Sequence, residues 1–412
     1  MSTSSPRPRL PFGRDFGYLW SASASTNLGD GILLAAGPLL IASMTSSPAL
    51  VGGAVFVQQL PWLLFSLFSG ALADRLDKRR LIVVVNLCRA LAMALLATAV
   101  FSGFATVLVV YAVLFVLGVA ETLADSASSP MVVAAVDDER LGPANARLGL
   151  AFTMGNQLAG PPLGAALFTL GAAIPLGAQA LTFLLGAILI SRIRVDTAPE
   201  RESASSARGV IADVADGLRW LRSHRSLLIL IGGILVMNIA FMTAFATWVL
   251  YSTELLGLSE FQYGLLMTCS ALGGLAGPLV YGFIQPRIGH AGILRFAFFF
   301  EAGMFLCFAT VPPAPVVAAI MVVFGTHTMV WGAAATTLIQ RTTPKALLAR
   351  VTSIYAMANI GGAAVGAACG AITAELFGLT AGFWAAGAMM LVVAAGTWRA
   401  VAAIHQHRHP DL

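Results

Sequence analysis

Residues 51–100 read VGGAVFVQQLPWLLFSLFSGALADRLDKRRLIVVVNLCRALAMALLATAV. Six of the seven charges in this stretch, Asp74, Arg75, Asp77, Lys78, Arg79 and Arg80, crowd into seven consecutive positions. The flanking segments are almost wholly apolar. A hydrocarbon core about 30 Å thick takes roughly 20 helical residues to cross. The stretch therefore reads as two membrane spans joined by a short basic hairpin.

The rest of the 412 residues repeats this grammar. Apolar residues make up 58% and charged residues 10%, with a mean hydropathy of +0.85. A water-exposed surface normally carries about a quarter charged residues, so most helices here must face lipid. The formal net charge is +5. It sits in clusters between apolar runs, with no basic stripe interleaved with aromatics, which argues against a nucleic-acid partner. Cys88, Cys269, Cys307 and Cys369 all fall inside apolar runs without a CxxC pair, so neither a disulfide framework nor a zinc site is expected. Met1 to Arg14 is Ser/Pro/Arg-rich and expected to be disordered. It is not read as a cleavable signal, because the apolar run after it is too long and carries Asn27 and Asp30.

Twelve spans result. The first six are Phe16–Ala42, Ala49–Ala73, Leu81–Phe101, Ala105–Ala127, Leu148–Leu170 and Ile174–Ile193. The second six are Leu227–Tyr251, Tyr263–Ile284, Ile293–Val311, Pro315–Ile339, Thr352–Leu376 and Thr380–Ala402. Every Lys and Arg except Arg89 then falls on one side, from Arg7, Arg9 and Arg14 to Arg399 and Arg408. Loops around Thr45, Gly103, Gly171, Gly257, Pro313 and Gly378 hold none. Basic residues are retained on the cytoplasmic face during insertion. Both termini are thus expected in the cytoplasm of a multi-pass plasma (inner) membrane protein.

Between the two sets of six, residues 196–225 break the apolar pattern. A polar segment, Glu200 to Arg208, leads into Val210, Val214, Leu218 and Leu221 at helical spacing, opposite Asp213, Asp216, Arg219 and Arg222. That is an amphipathic helix lying on the membrane or domain surface. The expected organisation is a six-helix bundle over 1–195, this linker, and a second six-helix bundle over 226–412, a duplication of the kind transporters use. Weak internal matches agree: Gly70 and Arg75 recur as Gly282 and Arg287, and Gly155, Gly160 and Gly164 recur as Gly361, Gly366 and Gly370.

The hairpin GALADRLDKRR resembles the loop between spans two and three of major facilitator transporters. Gly70, Asp74, Arg75, Arg79 and Arg80 stand in the motif positions, while Asp77 replaces its second glycine. The resemblance implies an all-α fold of two pseudo-symmetric six-helix bundles, usually monomeric. It also implies that Asp74 and Arg75 lock one face of the protein in one conformational state. A carboxylate there would cap span eleven near Thr352 and Ser353; the plainer reading is a merely basic loop. GPPLG (Gly160, Pro161, Pro162, Leu163, Gly164) is similar to the span-five motif of drug:proton antiporters, with Ala165 and Asn156 at two of its glycine positions. The prolines kink the helix, and Gly160 and Gly164 allow close packing against a neighbour; an antiporter motif and packing alone are the two readings. FGYLW (Phe16–Trp20), NLGD (Asn27–Asp30) and ERLGPAN (Glu139–Asn145) look like the branch that exports macrolides and enterobactin-type siderophores.

An ionisable residue inside the membrane costs about 2.5–3.5 kcal/mol on insertion scales, so each needs a partner, a cavity or a task. Asp30 lies mid-span one without a nearby partner in sequence. It is a candidate proton carrier, because a dry site favours the neutral form of a carboxylate; a hydrogen bond to a neighbouring helix is the alternative. Arg89 in span three is expected to pair with Glu121 or Asp125, four residues apart on span four, either as a structural bridge or as a moving, proton-linked pair. Glu301 is expected in a bundle contact. His327 and Trp331 are candidates to line a central cavity or to pack beside it. Asn27, Gln58, Gln59, Asn156, Asn238 and Asn359 are further candidate liners, and such amides also glue helices together.

These features predict a proton-driven secondary transporter that exports an amphipathic small molecule, with no cofactor and no metal. An uptake symporter of the same fold is the first alternative. A membrane enzyme is disfavoured, since no HExxH, GxSxG or P-loop pattern occurs and the six histidines are scattered. A transporter-like sensor lacks a sizeable soluble output domain.

Overall fold

The computed structural model describes residues 12–195 and 207–406. Arg7, Arg9, the polar start of the linker and Arg408 lie outside the described residues, as does the side chain of Asp74. Every regular element among the described residues is helical: α1 (Arg14–Met44), α2 (Pro48–Arg75), α3 (Lys78–Phe101), α4 (Val107–Ala135), α5 (Leu141–Phe152), α6 (Gly160–Leu170), α7 (Ile174–Ser191), α8 (Ala207–Ser223), α9 (Arg225–Phe245), α10 (Trp248–Leu250), α11 (Glu260–Ala309), α12 (Ala314–Thr342), α13 (Lys345–Phe377) and α14 (Ala381–Gln406). Local signals set many of the starts. Ser47, Asp77, Thr106 and Ser259 each accept a backbone N–H of the first turn, and Ser259 forms a reciprocal capping box with Gln262.

Ten of these helices are long and apolar enough to cross a bilayer. α11 is two of the expected spans in one continuous run. Its 50 residues would reach about 75 Å if straight, more than twice the hydrocarbon core. At Gly289 the backbone leaves the helical region (φ 66, ψ 173), a conformation open to glycine, and the chain folds back. Span five is the opposite case, broken into α5, a π-helical stretch over Thr153–Ala159, and α6. Pro161 and Pro162 follow directly and have no N–H to donate to Gln157 and Leu158, which is why the regular ladder gives way here. The Leu158 carbonyl instead accepts the Thr268 hydroxyl of α11 at 3.4 Å. Counting both corrections, the described residues supply twelve crossings, as two bundles of six.

Two expectations about α13 change. The helix begins at Lys345, after Pro344, so Thr352 and Ser353 lie two turns inside it. Ser353 donates back to the Ala349 carbonyl at 3.0 Å, and no helix end exists there for a carboxylate to cap. The amphipathic α8 docks on this helix: Asp216 faces Arg350 at 3.4 Å, and Gly217 abuts Arg350 and Ile354.

Two glycine seams bind the bundles internally. A Cβ on Gly160 would stand 2.5 Å from the Gly31 Cα, and one on Gly164 would stand 2.2 Å from the Ile32 carbonyl. In the second bundle, Gly366 and Gly370 press equally hard on the Ile239 and Thr243 carbonyls. Gly160 and Gly164 thus pack closely against α1, as either reading of GPPLG requires. The helix pairs α1/α6 and α9/α13 are thus equivalent, with α-carbons in contact where side chains would normally intervene.

The apolar core divides unevenly. Toward the end away from the basic clusters, one core runs through both bundles and joins Leu33, Val51, Leu114 and Phe183 to Trp248, Tyr251, Phe308 and Phe383. Toward the basic end it splits by bundle, with one cluster around Phe16, Ile82 and Met131 and a small one around Val85, Ala120 and Ala124 in the first, and one around Leu230, Trp331 and Leu338 in the second. The bundles are therefore welded at one end and separate at the other.

Candidate functional site

Just on the basic side of that weld lies a cavity of about 420 Å³. α1 (Leu33, Gly37), α2 (Val51, Gln58, Gln59), the span-five break (Asn156, Gln157, Pro161), α9 and α10 (Phe241, Phe245, Trp248), α11 (Tyr263, Met267) and α12 (Met321, Phe324, Met329) supply its walls. Helical spacing explains the aromatic wall, since Phe241, Phe245 and Trp248 fall on one face. Phe241 stacks on Phe245 at 4.4 Å and on Phe324 at 5.3 Å, with interplanar angles of 15° and 10°. Gln58, Gln59 and Asn156, candidate liners from the sequence, lie on this cavity, and so does Pro161, which the sequence offered only as part of the span-five motif. Gln157, Tyr263 and the aromatic ladder escaped the sequence reading. Their signal was the aromatic repeat itself, which reads equally well as core.

Five proposed liners sit elsewhere. Asn238 and Asn359 bond each other at 3.1 Å across the α9–α13 contact. Asn27 donates to the Ser23 carbonyl of its own helix at 2.7 Å. His327 turns away from the cavity toward Glu301, with 3.8 Å between Nδ1 and Oε1, and lies between the rings of Phe300 and Phe324. Trp331 is buried one turn further on. Each found a partner or an apolar environment inside its bundle, which is the commoner fate of a lone polar group in a helix interface.

The intramembrane charges of the first bundle regroup. Arg89 pairs with Asp30 across α1 and α3, at 3.0 Å between Nη2 and Oδ1, and not with Glu121 or Asp125. Gln179 of α7, a residue the sequence did not single out, donates to the same oxygen at 3.3 Å. The Arg89 guanidinium also lies 4.0 Å from the centre of the Phe183 ring. Arg89 is buried and Asp30 only partly so, with side-chain exposures of 6% and 22%. Glu121 is half-buried and Asp125 exposed on the facing side of α4.

A second cavity, also of about 420 Å³, opens onto this group from the basic half of the first bundle. Ser23, Thr26, Asn86, Arg89, Asp125, Ser128 and Asn145 give it a polar lining. No residue lines both cavities.

Around the hairpin, Asp77 caps α3 by accepting the Arg80 N–H at 2.8 Å. This accounts for an aspartate at the motif's second glycine position. Arg79 donates to the Ile193 carbonyl at 2.8 Å, tying the hairpin to the end of α7. Arg75 and Arg80 are exposed, and a Cβ on Gly70 would meet nothing within 4 Å. At the opposite end, Glu375 of α13 accepts from the Ser47 hydroxyl at 2.8 Å and from the Ala49 N–H at 2.9 Å. This clasp between the bundles was not anticipated. Among the described residues no cluster of three or more His, Cys, Asp or Glu side chains is placed to hold a metal ion.

Comparison with known proteins fits this geometry. The Major Facilitator Superfamily profile matches residues 19–359. The multidrug efflux pump Tap of Mycolicibacterium fortuitum is 25% identical over 382 residues, covering 90% of this chain and 92% of the pump. Among solved structures, a mutant of the nucleoside transporter NupG superposes with a TM-score of 0.78 at 12% identity, over 94% of this chain and 99% of that one. The D-xylose-proton symporter gives 0.68 at 14% identity, over 94% and 96%.

Proposed function

The chain belongs to the Major Facilitator Superfamily, and from that premise we propose that it is a proton-coupled exporter of an amphipathic small molecule. Substrate occupies the cavity between the bundles, and the proton is carried by Asp30. The carrying observation is the Asp30–Arg89 pair: Asp30 lines neither cavity, and its partner Arg89 lines a polar cavity that shares no residue with the central one. Proton and substrate thus have separate seats in one moving body, as exchange of one for the other requires.

Both contacts of Asp30 fall on Oδ1. Its Oδ2 has no hydrogen-bond partner among the described residues and is where a proton adds. Once Asp30 is neutral, Arg89 loses its counter-charge, and Glu121 and Asp125 on α4 are the carboxylates it can turn to. Exchange of the guanidinium between α1 and α4 alters the packing of two cavity-forming helices. The bundles over 1–195 and 226–412 then rock about the cavity, tethered by residues 196–225. With basic residues facing the cytoplasm, the split end of the core opens inward, where an exporter loads.

Export is supported by the likeness to Tap, a multidrug efflux pump, over most of both chains. The D-xylose-proton symporter shares the fold, so uptake by symport is the second reading. Purified protein in oriented vesicles separates them. Under exchange of proton for substrate, a gradient acid inside the vesicle drives accumulation, because protons leave as substrate enters, and a gradient acid outside does not. Accumulation down the gradient, together with protons, identifies a symporter. Undiminished proton-driven flux in Asp30→Asn eliminates Asp30 as the carrier.

A further inference from the structure

The walls of the central cavity differ in chemistry, and the division follows the two bundles. All four amide side chains, Gln58, Gln59, Asn156 and Gln157, come from the first bundle. The aromatic and thioether groups, Phe241, Phe245, Trp248, Tyr263 and Phe324 with Met242, Met267, Met321 and Met329, come from the second, whose lining hydroxyls on Ser270 and Thr328 donate to carbonyls of their own helices. No Asp, Glu, Lys, Arg or His lines the cavity among the described residues.

The amides are available. Asn27, Asn238 and Asn359, which lie outside the cavity, are each spent on a protein partner. Among the described residues no side-chain hydrogen bond engages Gln58, Gln59, Asn156 or Gln157. Each offers two N–H donors and a carbonyl acceptor, so together they match a ligand edge bearing both acceptors and donors. A ligand without such groups would leave them unpaired, a strong basis for rejection. The opposite wall is a ladder of nearly parallel rings. Another flat ring can join it as a further layer, and methionines mould to varied outlines around it.

From these walls we propose that the cavity selects an uncharged, ring-bearing amphiphile. Its carbonyl, hydroxyl or ether oxygens lie along one edge against the first bundle, and its flat apolar surface lies against the second. A cation or an anion entering this space finds no counter-charge, and burying an unpaired charge is far costlier than burying a dipole. The acidic groups of the first bundle do not supply one, since Asp30 faces Arg89, and Asp125 faces the separate polar cavity. This assignment rests on the reading of the central cavity as the transport site.

The test is equilibrium binding to the full chain in lipid nanodiscs, with no ion gradient. Three naphthalimides share one ring system and differ in the side arm: a neutral hydroxyethyl amide, a trimethylammonium and a sulfonate. The neutral probe is expected to bind at least ten-fold more tightly than either ion. The isosteric changes Gln59→Glu and Asn156→Asp place a carboxylate in the cavity, and each should raise affinity for the trimethylammonium probe at least ten-fold while weakening the neutral one. Aromatic groups can hold a quaternary ammonium by themselves, so equal or tighter binding of the cation to the unmodified protein overturns the proposal. So does failure of all three probes to bind, or an unchanged preference in both carboxylate variants. Because no gradient is applied, a failure of proton-driven export leaves this result intact, and a failure here leaves the export assay intact.

Discussion

Arg89 on α3 and Asp30 on α1 meet at 3.0 Å although 59 positions separate them, and Gln179 of α7 closes on the same carboxylate oxygen at 3.3 Å. Three helices of the first bundle are thereby pinned at one point inside the membrane. Removing one half of a buried ion pair strands the other, at a cost of about 3–5 kcal/mol. Arg89→Ala should therefore unfold in detergent at markedly lower temperature, and Arg89→Ala combined with Asp30→Asn should recover most of the loss. In Asp30→Asn alone, substrate binding without a gradient should stay within about three-fold of the unmodified protein, because Asp30 lies outside the substrate cavity. A large loss of binding in that variant would mean proton and substrate share one seat.

The glycine seam sets a strict size limit. Gly164→Ala drives a methyl group into the Ile32 carbonyl and should cost about 1–3 kcal/mol by overpacking. Gly177→Ala is the matched control, a helical glycine with nothing within 4 Å of the added carbon. It should be neutral or stabilise by about 0.5–1 kcal/mol. Thermal melts of the two variants side by side decide the matter, and equal melts would remove the seam from the account.

Glu375 clasps the first turn of α2 at the end where the bundles are welded. In Glu375→Ala, α2 and α13 should separate there more often. A cysteine pair at Gly52→Cys and Ala371→Cys, in a background without the native cysteines, reports this directly, since a Cβ on Gly52 would stand 2.9 Å from the Ala371 Cβ. Oxidative cross-linking should be rapid in the parent and several-fold slower in Glu375→Ala.

Glu301 and His327 form the second bundle's counterpart in burial, though not in geometry. Their nearest approach is 3.8 Å, and Glu301 Oε2, both His327 ring nitrogens and Trp331 Nε1 have no hydrogen-bond partner among the described residues. His327→Leu should destabilise the bundle by about 1–3 kcal/mol, by leaving Glu301 alone in an apolar site. His327→Leu with Glu301→Leu should return to the parent stability or exceed it. A double-mutant cycle with no coupling would show that the two side chains act independently.

The number of crossings was legible because the bilayer imposes it on composition over some twenty residues at a time. Details decided by helix rotation were not. Arg89 had three carboxylates at comparable depth, and only the azimuth of α3 selects Asp30 over Glu121 and Asp125. The same uncertainty separated Gln59, which faces the cavity, from Asn238, which turns into a helix contact. Clean loop signals were also absent where the backbone did something unusual. The turn at Gly289 is a single residue in a left-handed conformation, and the π-helical stretch before Pro161 carries no composition of its own. Lys345 and Arg350 are charged like the residues of the basic loops, yet they form the first turns of α13, and Arg350 faces Asp216 of α8.

At the seams where Gly160 meets Gly31 and Gly366 meets Ile239, main chain rests on main chain with no side chain between to yield. Rotamers cannot absorb shear at such a joint, so each pair of helices travels as a single beam. The π-helical turn ahead of Pro161 belongs to the same joint, since Gly31 also abuts the Gly155 and Asn156 carbonyls, so whatever bending accompanies a transport cycle has to be taken up elsewhere along the chain.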